Sequence, residues 1–165
     1  MTVDPAHREW YLSDAAATQA AGRAIGCSLA HLNRVEPLII TLQGDLGAGK
    51  TTLVGGLLNA LGHVGSVRSP TYTLIEPYEL AGRQFYHLDL YRLTHPMQLE
   101  ELGVRDLLQP GAVLLVEWPE KAGLMLANAD LQVHLSYPSE GIEGRRLHLQ
   151  SDHESLRQLI HSLTF

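Results

Sequence analysis

Eight consecutive residues, Gly44-Asp45-Leu46-Gly47-Ala48-Gly49-Lys50-Thr51, have the types and spacing to hold phosphate groups. They satisfy Gly-x-x-x-x-Gly-Lys-[Ser/Thr] at Gly44, Gly49, Lys50 and Thr51. The glycines let the backbone turn so that successive amides point inward at phosphate oxygens. A helix starting at Lys50 adds unpaired amides and the positive end of its dipole. Lys50 is expected to reach the β- and γ-phosphates of a nucleotide, and the Thr51 hydroxyl to ligate Mg²⁺. A tight strand-to-helix turn would need neither the lysine nor the hydroxyl, so the segment reads as a phosphate cradle.

Hydrolysis needs a second group for the metal and something to position water. Two carboxylates compete. Glu117 ends the apolar run 112–116, and the carboxyl ends of central parallel strands lie beside the ligand crevice. Asp89 ends the less apolar run 85–89. Glu117 is favoured for the metal, and Asp89 for positioning water or supporting the metal ligands; the alternatives for Asp89 are a surface carboxylate or a partner of Arg92. His87 shares a strand face with Asp89 and reads as a hydrogen-bonded structural histidine in preference to a metal ligand, because no further ligand spacing accompanies it. Ser69-Pro70-Thr71 ends a glycine-containing polar loop and fits either a nucleotide-sensing switch or an ordinary loop entering a strand. Trp118-Pro119 reads as a core aromatic closing a strand.

The elements that must hold these residues follow from periodicity. Ser13-Asp14 can cap a helix over 15–32, with Ile25, Leu29 and Leu32 at helical spacing. The β-branched run 38–42 suits a strand buried on both faces, and 51–61 carries Leu53, Leu57, Leu58 and Leu61 on one helical face. A hairpin is expected from 71–80 and 84–90 about Ala81-Gly82, then a short helix from Thr94 and Pro96 that stops at Gly103. Residues 112–116, 131–135 and 146–149 read as strands and 154–163 as a closing helix. The alternation implies one α/β domain over 1–165.

Composition narrows the function classes. With a formal net charge of −6 and Arg145-Arg146 the only adjacent basic pair, the chain lacks the basic stripe expected of a protein that grips nucleic acid alone. No apolar run approaches the roughly 20 residues of a membrane span, and Asp4, Arg8 and Glu9 interrupt the stretch where a signal peptide would be apolar. A cytoplasmic location is expected. Cys27 falls in the alanine-rich helix and is expected to be a buried small residue, not a reactive thiol.

Five motifs together resemble the bacterial TsaE (YjeE) family: Gly44 through Thr51 with Thr52, then Ser69-Pro70-Thr71-Tyr72-Thr73-Leu74, His87-Leu88-Asp89-Leu90-Tyr91-Arg92-Leu93, Glu101-Leu102-Gly103, and Val116-Glu117-Trp118-Pro119. That resemblance implies a P-loop NTPase fold with a mixed, largely parallel central sheet flanked by helices. It implies the ATPase component of tRNA threonylcarbamoyladenosine (t6A) synthesis, acting with TsaB-type and TsaD-type partners that modify adenosine 37 of tRNA. Contact with tRNA would then be indirect, through the complex. The family's magnesium ligands fall on Thr51 and Glu117, its essential aspartate on Asp89, its switch-like threonine on Thr71 and its tryptophan on Trp118. An arginine that touches the nucleotide corresponds to Arg145, with Arg146 as the neighbouring choice, and residues 13–18 resemble the adenine-side segment. ATP and Mg²⁺ are the implied ligands. The competing expectation is a small-molecule kinase on the same fold, with Asp89 as general base; the chain has no Arg-rich lid insertion of the kind such enzymes use to exclude water.

Overall fold

Two largely apolar segments form the centre of the sheet. β2 (Leu38–Gln43) and β5 (Val113–Glu117) run parallel, with Leu38 opposite Val113 and Leu42 opposite Glu117. In β5, Val113 and Leu115 join one hydrophobic cluster while Leu114 and Val116 join the other. A strand whose alternate residues enter two cores is buried on both faces, which is why its sequence shows no polar alternation.

The computed structural model describes residues 6–165; of the N-terminal residues read for polarity, Asp4 lies outside them. Seven strands form one sheet in the order β1-β7-β6-β2-β5-β4-β3. Here β1 is Ala6–Leu12, β3 Ile75–Leu80, β4 Arg83–Asp89, β6 Leu131–Ser136 and β7 Arg145–Ser151. The β6-β2-β5-β4 core is parallel, and the three outer pairings are antiparallel. The sheet is therefore mixed with a parallel centre, as expected.

One face is covered by α1 (Ala15–Ala30), α2 (Lys50–Ala60) and α4 (Glu154–Ser162), the other by α3 (Met97–Glu101) with the 3-10 turns Val104–Leu107 and Pro119–Leu126. Asp14 caps α1 by accepting the Ala17 amide at 2.7 Å. Helices α1 and α2 press together at glycines: a Cβ on Gly22 would sit 2.1 Å from Leu53 O, and one on Gly56 2.1 Å from Gln19 O. The start of α1 is thereby held against the helix that leaves the phosphate loop.

Three expectations change. The first hairpin strand begins at Ile75, because 71–74 form a turn in which the Leu74 amide donates to Pro70 O at 2.7 Å and Leu74 takes φ 65°. Cys27 is exposed, not buried, since the buried stripe of α1 runs through Thr18, Ala21, Gly22, Ile25, Gly26 and Leu29 and passes it by. Strand β1 was not anticipated, although Trp10 and Leu12 alternate with exposed His7, Glu9 and Tyr11. Among the described residues no helix is long and apolar enough to cross a membrane.

Candidate nucleotide-phosphate site

The loop 44–49 leaves the carboxyl end of β2 and enters α2 at Lys50. Gly44 and Gly49 stand at φ 147° and 106°, and a Cβ on Gly44 would lie 2.3 Å from Leu135 O. Only glycine fits there without displacing β6. Gly49 caps α2 without a side-chain hydrogen bond, so the first-turn amides remain available to an anion.

Lys50 is buried at 4 % exposure. Its Nζ donates to Gly44 O at 2.6 Å and Asp45 O at 2.9 Å and lies 4.0 Å from the centre of the Trp118 ring. Burial lowers the ammonium's pKa from 10.5, while Glu117, Asp89, Glu120 and Asp45 pull it back up. A concentrated positive charge is thus kept beside the loop amides.

The parallel register sets Asp89 opposite Glu117 at the carboxyl edge of β4 and β5. The two carboxylates have different partners. Glu117 Oε1 accepts the Thr51 hydroxyl at 2.7 Å and lies 2.8 Å from His87 Nε2. Asp89 accepts from the hydroxyls of Ser69 and, at 3.3 Å, Thr71, and from the Tyr91 amide at 3.0 Å. Arg92 does not pair with Asp89; it lies 4.2 Å from the centre of the Tyr72 ring. Thr51 and Glu117 bring a hydroxyl and a carboxylate together, the oxygen donors that a hard cation such as Mg²⁺ takes. A hydroxyl that donates its proton to a carboxylate keeps lone pairs for a metal, so the pair fits that ion.

Two cavities flank the loop. One of about 330 Å³ is lined by Lys50, Thr51, Thr71, Asp89, Glu117 and Trp118. The other, about 480 Å³, is lined by Asp14, Thr18, Thr52, Tyr137, Ile142 and Arg145 among others. Asp45 and Leu46 sit at the exposed turn of the loop, and buried Ala48 packs into the core beneath it. Trp118 is a half-buried aromatic packed against the second hydrophobic cluster, at a strand end that is not ordinary. It takes φ 58°, breaks β5 from the following 3-10 turn, and packs against Tyr91 and Lys50.

Arg145 donates to Ala48 O and Gly47 O, each at 3.1 Å, and lies over the Tyr137 ring. Arg146 instead pairs with Glu9 on the exposed face. Period two explains the difference: Arg145 shares its face with buried Leu147 and Leu149, Arg146 with His148. Tyr137, whose hydroxyl donates to Leu46 O at 3.2 Å, was missed because nothing near it in the sequence marks it.

A model of the family described as threonylcarbamoyl adenosine biosynthesis protein TsaE matches residues 12–147. The chain belongs to the TsaE family. Among its TsaE relatives, the tRNA threonylcarbamoyladenosine biosynthesis protein TsaE of Haemophilus influenzae is 43 % identical over 127 residues, covering 77 % of this chain and 80 % of the relative. The protein of that name from Synechocystis is 42 % identical over 119 residues, with 68 % and 71 % covered. The crystal structure of Bacillus subtilis YdiB superposes with a TM-score of 0.72 at 25 % identity, covering 97 % of this chain and 95 % of that one. The TsaE match spans every residue of both cavities named above, from Ser13 to Arg145.

Proposed function

We propose that this chain binds ATP with Mg²⁺ and hydrolyses it in support of t6A formation on tRNA, acting as one P-loop domain with TsaB-type and TsaD-type partners. The observation that carries the reading is the meeting of Lys50, Thr51, Asp89 and Glu117 around one cavity at the end of the glycine loop. Family membership supplies the pathway; the side chains supply the chemistry. The loop amides and Lys50 hold and neutralise the phosphates, so that little charge remains to be compensated as the terminal phosphoryl leaves. A bound Mg²⁺ would draw charge from the phosphate oxygens, and Thr51 and Glu117 are the residues that would hold it.

Asp89 is suited to orient the attacking water. Its carboxylate already gathers hydroxyls from Ser69 and Thr71, so a change at the terminal phosphate has a direct route into the 69–74 turn. In this reading Thr71 senses the phosphate and the turn transmits its presence to a partner. Arg145 and Thr52 line the base-side cavity and steady the nucleotide there. The acidic balance of the chain accords with protein partners that carry the tRNA.

The decisive experiment reconstitutes tRNA modification from purified partner proteins with and without this chain. Modification over many cycles should require the chain, ATP and Mg²⁺, with inorganic phosphate released into solution. Full multi-cycle modification in its absence would refute the role. Transfer of the phosphoryl group to an added small-molecule acceptor would point to the kinase instead.

A further inference from the structure

His87 lies on β4 with no solvent exposure. It stands opposite Leu115 in the register, so Glu117 is its diagonal neighbour on β5, and Nε2 reaches Oε1 of that residue at 2.8 Å. The other ring nitrogen, Nδ1, is buried without a hydrogen-bond partner among the described residues. The geometry places the ring's hydrogen. Oε1 accepts the Thr51 hydroxyl at 2.7 Å and lies within hydrogen-bond reach of Nε2, so an N–H at Nε2 has an acceptor, whereas one at Nδ1 would be buried unpaired.

An unpaired polar atom in a core costs stability, and a leucine of similar bulk would leave none. The histidine is therefore poorly explained as packing. Among the described residues its one side-chain hydrogen bond is with Glu117, which lines the cavity.

We propose that His87 is a positioning residue for Glu117. Two donors, the Nε2–H of His87 and the hydroxyl of Thr51, converge on Oε1 and fix the carboxylate; Oε2, which has no protein partner among the described residues, is left for the cation. Carboxylates that ligate metals are themselves commonly held by such outer hydrogen bonds. The inference rests on the metal role proposed above for Glu117.

Two measurements test it. In the metal-free, nucleotide-free chain, long-range ¹⁵N–¹H correlation of the histidine rings should find a proton on His87 Nε2. A ring that carries its proton on Nδ1 alone overturns the proposal. Secondly, ATP binding is titrated in EDTA and in rising Mg²⁺, with thermal melting to verify folding. His87→Leu should leave binding in EDTA unchanged and raise the Mg²⁺ concentration needed by about tenfold. His87→Gln, which puts an amide donor near the position of Nε2, should recover most of that loss. An unaltered Mg²⁺ requirement in His87→Leu, or a Gln variant no better than Leu, overturns the proposal. If His87→Leu does not fold, the ring-nitrogen assignment and the Gln variant decide. Should Glu117→Ala itself match the wild type in Mg²⁺, the metal reading fails and this inference falls with it; a Glu117 effect without a His87 effect removes the inference alone.

Discussion

Thr51 and Glu117 are 66 positions apart in the chain and 2.7 Å apart in space, joined by a hydrogen bond from hydroxyl to carboxylate. The first lies in the opening turn of α2 and the second closes β5, so the contact exists only because β2 and β5 are parallel neighbours whose carboxyl ends meet.

If the pair acts as one metal-binding unit, its members should not contribute independently. Thr51→Val and Glu117→Ala are each expected to lower Mg²⁺-dependent ATP hydrolysis by about 100-fold. The double variant should be little worse than either. Binding of ATP in EDTA should change much less than turnover. Additive losses in a steady-state double-mutant cycle would separate the two residues.

The charge on Lys50 should be lost at lower pH than in the unfolded chain. Burial lowers its pKa from 10.5, and Glu117 and Asp89 oppose the shift. The cost of burying the ammonium is fully present below the folded value and is relieved as pH rises toward 10.5, so this group makes stability increase with pH in that window. Glu117→Gln removes an opposing charge and should lower the midpoint further. Lys50 and Lys121 are the only lysines in the sequence, so ¹³C-lysine NMR of the nucleotide-free protein, with Lys121→Arg for assignment, reads it directly. A midpoint at or above 10.5 contradicts this account.

Arg145 and Arg146 should behave differently despite being adjacent. Arg145→Ala removes hydrogen bonds to Gly47 O and Ala48 O and is expected to weaken ATP binding by about thirtyfold, or about 2 kcal/mol, the scale of a charged hydrogen bond. The exposed Arg146–Glu9 pair is worth about 0–1 kcal/mol, so Arg146→Ala should leave binding unchanged. Calorimetric titration of both variants makes the comparison; equal losses would place the effect elsewhere.

Neighbouring glycines of α2 should respond oppositely to alanine. At Gly56 the new Cβ would meet Gln19 O at 2.1 Å, and overpacking of about 1–3 kcal/mol should exceed the roughly 1 kcal/mol gained in helix propensity. At Gly55 the nearest atom, Val67 Cβ, is an ordinary 3.6 Å away, so the propensity gain should prevail. Urea midpoints would show Gly56→Ala less stable than the wild type and Gly55→Ala at least as stable.

Much of this was legible from adjacent residues. Gly44 through Thr51 carry a local instruction for the turn, with Gly44, Gly47 and Gly49 all at positive φ between β2 and α2, and their residue types are those of the phosphate cradle proposed above. The runs 38–42 and 112–116 announced buried strands because burial on both faces removes polar alternation. The hairpin turn at Ala81-Gly82 was readable too, and both residues take positive φ, 51° and 72°.

What depended on contacts distant in sequence was not legible. The first hairpin strand was started too early because Ser69 and Thr71 turn toward Asp89, a partner from β4 that local propensity cannot anticipate. The shared attachment of Thr51 and His87 to one oxygen of Glu117 arises from strand order and register, which join three segments of the chain. That Arg145 and not Arg146 bonds to the loop follows from the side of β7 that faces it. Sequence alone determined which chemical groups were available, since side-chain type and short spacing are local properties. The tertiary structure decided which groups act on one another, because a one-residue change of register would turn every side chain of a strand to the opposite face.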